Sequence, residues 1–136
     1  MPKVDAVPER RAKRILVVDD DRAVREMLVR VLIGDGYLAL PAADGPEALK
    51  SAATIRFDLV LLDLGMPGWD GWKTFENLAR QHPGLAVIII TAKPDQRAIA
   101  DAAGVRALFE KPLDFPELLQ TVGQLLAEPP KVQENP

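Results

Sequence analysis

Short aliphatic runs alternate with amphipathic stretches along the whole chain. Ile15-Leu16-Val17-Val18, Leu59-Val60-Leu61-Leu62 and Val87-Ile88-Ile89-Ile90 are continuous in a way that suits strands covered on both faces. Weaker runs lie around residues 37–41 and 106–110. The pattern predicts strands over 15–19, 37–41, 57–63, 85–91 and 106–110, with helices over 22–34, 46–54, 71–82, 94–103 and 115–127. That alternation specifies an α/β fold, a parallel five-stranded sheet covered by helices on both faces. Pro41 cannot donate to a ladder, so the second strand belongs at a sheet border.

Boundary residues agree with these spans. Pro46 and Pro94 stand where a first helical residue belongs, and Gly34, Gly84 and Gly104 follow helical runs. Val24, Met27, Leu28, Val31 and Leu32 recur at helical spacing and predict the buried stripe of the first helix. Leu118, Leu119, Val122, Leu125 and Leu126 do the same for the last, which Asp114 can cap. Trp72 shares a stripe with Phe75 and Leu78 and reads as core, whereas Trp69 lies in a loop and suits partner docking. His82, beside Pro83, reads as a solvated helix terminus.

Polar residues follow the apolar runs: Asp19 and Asp20 the first, Asp63 the third, Thr91 the fourth and Lys111 the fifth. Parallel neighbouring strands bring their C-terminal ends to one sheet edge, where open α/β folds bind ligands. Three carboxylates held together repel unless a cation or a proton intervenes. An oxygen-only donor set favours a hard ion such as Mg²⁺, which shares itself with phosphate oxygens. Lys111 supplies a fixed positive charge and Thr91 a hydroxyl donor for a phosphoryl group. Carboxylates form acyl phosphates, and Asp63, ending the central strand, is the expected nucleophile.

Composition narrows the class. The 136 residues are 48% hydrophobic and 27% charged, which suits one domain. No cysteine is present, so disulfides and thiolate chemistry are excluded and a cytoplasmic setting is expected. No run reaches membrane-spanning length. The net charge of −3 divides into +3 over residues 1–14 and −6 over the remainder. A mildly acidic body argues against a nucleic-acid face, and the basic leader reads as a solvated arm. Residues 128–136 have almost nothing to bury and read as a frayed tail, leaving a domain over 15–127.

These residues carry a family resemblance. Ile15-Leu16-Val17-Val18-Asp19-Asp20-Asp21, Asp63-Leu64-Gly65-Met66-Pro67-Gly68-Trp69-Asp70-Gly71, Thr91-Ala92 and Glu110-Lys111-Pro112 resemble the motifs of receiver domains of two-component response regulators. The resemblance covers residues 15–126 and implies a flavodoxin-like (βα)5 fold with strand order 2-1-3-4-5. It implies Asp63 as phosphoacceptor, Asp20 as a direct Mg²⁺ ligand, Asp19 as an acidic ligand acting through water, and Gly65 as a backbone-carbonyl ligand. It further implies Thr91 as the switch hydroxyl, Lys111 as the partner of the phosphoryl group, and a cis Lys111-Pro112 bond. Asp21 reads instead as a helix cap.

The sequence departs from the pattern in two places. The switch position that is aromatic in most receivers is Leu108, and Phe109 beside it points to the other face of its strand. The stretch between Thr91 and Lys111 is short for the family, so the fourth helix should be short and signalling is expected through residues 92–110. Lys93 and Gly65 occupy positions expected to tune phosphate lifetime.

The resemblance implies a phosphoacceptor signalling domain and not a conventional enzyme. Its expected partners are a sensor histidine kinase or phosphotransfer protein and a downstream protein target, acting on a monomer or weak dimer with no membrane or nucleic-acid contact. Two rival readings are a phosphorylation-independent docking module and a metal-dependent phosphatase for small phosphoesters.

Overall fold

The computed structural model describes residues 12–65 and 70–127. The elements run β1 (Arg14–Val18), α1 (Arg22–Gly34), β2 (Leu38–Ala42), α2 (Gly45–Thr54), β3 (Leu59–Asp63), α3 (Gly71–Gln81), β4 (Ala86–Thr91), α4 (Arg97–Ala103), β5 (Ala107–Glu110) and α5 (Phe115–Ala127). All pairings are parallel and the order is β2-β1-β3-β4-β5, the flavodoxin-like arrangement. Every residue of β3 and β4 is buried. This is what their unbroken aliphatic sequence demands, since helices cover both faces.

Alternation along the strands sorts the core into two layers. Leu16, Val18, Val60, Leu62, Val87, Ile89 and Leu108 face α2, α3 and α4, meeting Ala48, Ala52, Phe75, Leu78 and Ala100. Ile15, Val17, Leu59, Leu61, Ile88 and Ile90 face α1 and α5, meeting Leu28, Leu32, Leu118 and Val122. Phe109 packs with this second layer, so it and Leu108 do lie on opposite faces.

β2 is an edge strand, and its hydrogen bonds explain how it tolerates a proline. Leu38 N–H donates to the Lys13 carbonyl and the Ala42 carbonyl accepts from Asp19 N–H. Residues 38, 40 and 42 therefore turn their backbone groups toward β1, and Pro41 turns its nitrogen outward, where no ladder bond is lost.

Carboxylates cap four of the five helices, all but α4. Asp21 accepts from Ala23 and Val24 N–H at α1, Asp44 from Glu47 N–H at α2, Asp70 from Lys73 N–H at α3, and Asp114 from Glu117 N–H at α5.

Several boundaries differ from expectation. α4 starts at Arg97 and not at Pro94, because Asp95 adopts φ 62°, which no α-helix contains. The helix is seven residues long, short as expected. β3 starts at Leu59, because Asp58 is occupied with Arg14, accepting its N–H through Oδ2 and donating its own N–H to the Arg14 carbonyl. Arg14 itself opens β1, so the expected N-terminal extension is shorter by that residue. Gly34 is the last residue of α1 and the left-handed turn falls on Gly36, at φ 98°. Met27 is 39% exposed and does not belong to the α1 stripe.

His82 is not a solvated terminus: its backbone N–H caps α3 onto Leu78 and its Nε2 is buried. The remainder of the expected basic leader, residues 1–11, together with Trp69 and the tail over 128–136, lies outside the described residues. Among the described residues no helix is long and apolar enough to cross a membrane.

Candidate functional site

Strand register assembles the site. Val18 pairs with Leu62, so Asp19, one residue on, stands beside Asp63 at the end of β3. Asp63 pairs with Ile90, which places Thr91 one step beyond it, and Thr91 pairs with Glu110, which places Lys111 next. Four sequence-distant segments thus meet at one edge. Alternation then divides them: Asp19, Asp63 and Lys111 share the parity of the α1/α5 face, and Thr91 shares that of Leu108.

Asp19, Asp20 and Asp63 each offer a carboxylate oxygen, and these oxygens lie within 4.8 Å of one another. Lys111 Nζ donates to Asp63 Oδ2 at 3.0 Å and stands 3.8 Å from Asp19 Oδ2. The other oxygens are held by the chain: Asp63 Oδ1 accepts from Gly65 N–H at 2.8 Å, and Asp19 Oδ1 from Asp21 N–H at 2.9 Å. Asp19 and Asp63 are buried while Asp20 is exposed, so the cluster opens to solvent on one side.

Asp19 Oδ2 is buried with no hydrogen-bond partner. A buried carboxylate oxygen left in that state carries a substantial desolvation cost, which a proton or a cation removes. Burial, above all, pushes the Asp19 carboxyl up to about 6; the Asp21 N–H opposes the rise, Asp63 adds repulsion and Lys111 offsets part of it. Lys111 responds in the opposite sense. Burial pulls its ammonium down, but the hydrogen bond and charge of Asp63, with Asp19 behind it, outweigh that and raise it. An all-oxygen, three-carboxylate cluster with one orphaned oxygen fits a hard divalent cation such as Mg²⁺.

The chain can also be placed among known proteins. The sequence profile of the response regulator receiver domain matches residues 15–123.

The chain belongs to that family.

Response regulator MprA from Mycolicibacterium vanbaalenii is 42% identical over 115 residues, covering 83% of this chain and 50% of that protein. The chain therefore spans about half the length of the curated relatives it matches, MprA of Mycobacterium ulcerans included. Among solved structures, response regulator TrrA from Thermotoga maritima, in complex with Mg²⁺-BeF, has 34% identity and a TM-score of 0.77 over 83% of this chain and 98% of its own. A CheY-like receiver from Methanospirillum hungatei has 29% identity and a TM-score of 0.81, covering 86% and 95%.

Within this receiver the remaining expected site residues fall as follows. Thr91 is buried and its Oγ1 accepts from Lys93 N–H at 2.9 Å, while its carbonyl accepts from Lys111 N–H at 2.9 Å; among the described residues no hydrogen bond joins its hydroxyl to Asp63 or to the Lys111 ammonium. Gly65 is exposed at the edge, bonded through its N–H to Asp63. Leu108 is buried in the layer beneath α4, paired with Ile89. The Lys111-Pro112 peptide is cis.

Three contacts escape a sequence reading. Arg25 on α1 donates from Nη1 to the Asp19 carbonyl at 2.7 Å, a cation braced against the backbone of the acidic pair. Arg97 donates to the Leu108 carbonyl at 3.3 Å, and Gln96 Oε1 accepts from Trp72 Nε1 at 3.4 Å, tying the start of α4 to β5 and α3. Nothing in a single sequence identifies a backbone carbonyl as the partner of Arg25. Trp72 is half-buried and meets Phe75 edge to face, centroids 5.9 Å apart, so the expected packing role is accompanied by a polar one.

Proposed function

We propose that this receiver accepts a phosphoryl group on Asp63 from the phosphohistidine of a sensor kinase or phosphotransfer protein, and signals the change by protein contact. The observation that carries the reading is the three-carboxylate cluster with Lys111 3.0 Å from Asp63 and one Asp19 oxygen orphaned. Asp20, Asp63, the Gly65 carbonyl and, through water, Asp19 would hold Mg²⁺. When bound, the ion would neutralise charge on the transferring group.

The chain's own residues supply the rest. A carboxylate oxygen of Asp63 attacks phosphorus as the P–N bond breaks, and the departing imidazole nitrogen keeps the electron pair. Gly65 N–H and Lys111 hold the Asp63 carboxylate in one orientation, and the Lys111 ammonium reaches the incoming oxygens. Thr91 Oγ1 uses a lone pair for Lys93 N–H, so its proton is available to a phosphoryl oxygen. Hydrolysis reverses the outcome: water attacks phosphorus and Asp63 leaves as carboxylate. Gly65 presents no side chain to obstruct that water.

Incubation with acetyl phosphate and Mg²⁺ should add a single base-labile phosphoryl group to the wild type and none to Asp63→Ala, by intact mass. Labelling that survives Asp63→Ala overturns the assignment. A second reading, constitutive docking without phosphorylation, is favoured by Leu108, which fills its buried position while Arg97 pins its carbonyl. Amide exchange over residues 92–110 separates the two: protection that changes on phosphorylation supports a working switch, and unchanged protection supports constitutive docking.

A further inference from the structure

At the end of the sheet opposite the acidic cluster, where the strands begin, lies a cavity of about 310 Å³. Lys13 precedes β1, Asp58 precedes β3, and His82 and Pro83 follow α3, while Phe57 and Leu126 supply an apolar wall. Its volume lies at the small end of the range for organic ligand sites. The lining combines apolar with polar side chains, the composition such sites use.

Two of those polar groups have unused capacity. His82 Nε2 is buried out of reach of solvent, so it is not counted among them. Lys13 and Arg56 line the same cavity, and neither side chain has an ion pair or hydrogen bond among the described residues. Among the described residues the only carboxylate of the lining is Asp58, which accepts the Arg14 N–H through Oδ2 at 2.8 Å. Arg106 lines the cavity too but has an interaction of its own and is not counted. Two cations therefore accompany one carboxylate beside Phe57 and Leu126.

We propose that this cavity binds a small organic phosphomonoester. The phosphate would sit on Arg56 and Lys13, and the organic group would lie against Phe57 and Leu126. Arg56 suits a dianion because its planar fork can donate two parallel hydrogen bonds, with Lys13 adding a point charge. The site is separate from Asp63 and needs no divalent cation.

Phenyl phosphate, titrated into the full ¹⁵N-labelled chain with EDTA present, tests the proposal. A dissociation constant of about 1 mM or tighter is expected, with shifts at the Gly84, Leu85 and Leu126 amides and none at Asp20, Gly65 or Thr91. Arg56→Glu reverses an exposed charge, should leave the unfolding temperature unchanged, and should weaken binding about tenfold or more. Lys13→Glu should weaken it several-fold. Benzoate, with one negative charge, should bind at least about tenfold more weakly. Absence of shifts at the cavity, shifts at the acidic edge instead, equal affinity for Arg56→Glu, or equal affinity for benzoate would each overturn it.

Discussion

Replacing Asp19 by asparagine should make the metal-free protein more stable, although it removes a residue of the proposed phosphorylation site. Asp19 is 1% exposed, and its carboxyl titrates near 6 where 3.8 is ordinary. A difference of that size corresponds to roughly 3 kcal/mol between the protonation states. The sign follows from the direction. The folded value is raised, so the folded state holds its proton more tightly than the unfolded state does. The charge penalty is absent below about pH 4, grows between 4 and 6, and is complete above 6.

Asp19→Asn removes the charge while keeping an oxygen for the Asp21 N–H, at the cost of an amide NH₂ that must find its own partner. A net gain of about 2–3 kcal/mol at pH 8 is therefore expected, a rise of roughly 10 °C in Tm for a domain of this size. Urea unfolding in EDTA from pH 4 to pH 8 measures the stability difference between variant and wild type, in which other titrating groups largely cancel. The difference should be near zero at pH 4 and rise to a plateau above pH 6.5. Millimolar Mg²⁺ should narrow it, since the wild type, with all three carboxylates, would bind the ion more tightly than the variant and gain more stability from it. A flat difference across pH, or a wild type more stable than the variant at pH 8 in EDTA, would refute the reasoning.

Other substitutions separate roles that lie close together. Asp21→Ala removes the side chain that accepts the Ala23 and Val24 N–H groups, so urea unfolding should show a loss of about 1 kcal/mol while Mg²⁺ affinity, by tryptophan fluorescence titration, stays within about twofold. Lys111→Ala leaves the Asp63 and Asp19 carboxylates facing each other without their ammonium, and phosphorylation by acetyl phosphate, followed by intact mass, should slow by about a hundredfold. Gly71→Ala puts a methyl group 2.9 Å from Leu64 Cα and Cδ2, so chemical denaturation should show a loss of about 1–3 kcal/mol from overpacking directly after β3.

Much of this molecule is legible from periodicity, because burial on both faces leaves a strand few residue choices. β1, β3 and β4 were readable for that reason. β2 was readable as an edge because Pro41 has no proton to donate. The acidic cluster was readable because chain order and parallel pairing put Asp19, Asp63, Thr91 and Lys111 at one end of adjacent strands.

What escaped depends on backbone conformation or on long side chains reaching distant atoms. Nothing in Pro94-Asp95-Gln96 announces that Asp95 turns left-handed and delays α4 by three residues. The Arg25 bond to the Asp19 carbonyl and the Arg97 bond to the Leu108 carbonyl are likewise hidden, since any residue can supply a carbonyl. His82 looked solvated because helix ends usually are, yet its Nε2 is buried at the cavity beyond the strand starts.

The outward-facing nitrogen of Pro41 has a consequence for how copies of this protein can associate. An exposed strand in a flat sheet is a template on which further strands can polymerise. Here the outer border of β2 lacks a proton at one of its few solvent-facing backbone positions, so the carbonyl of an incoming strand would find no N–H to accept from. Association by extending the sheet is blunted at this border, and contacts with other chains are left to side-chain surfaces, which can be made and broken reversibly.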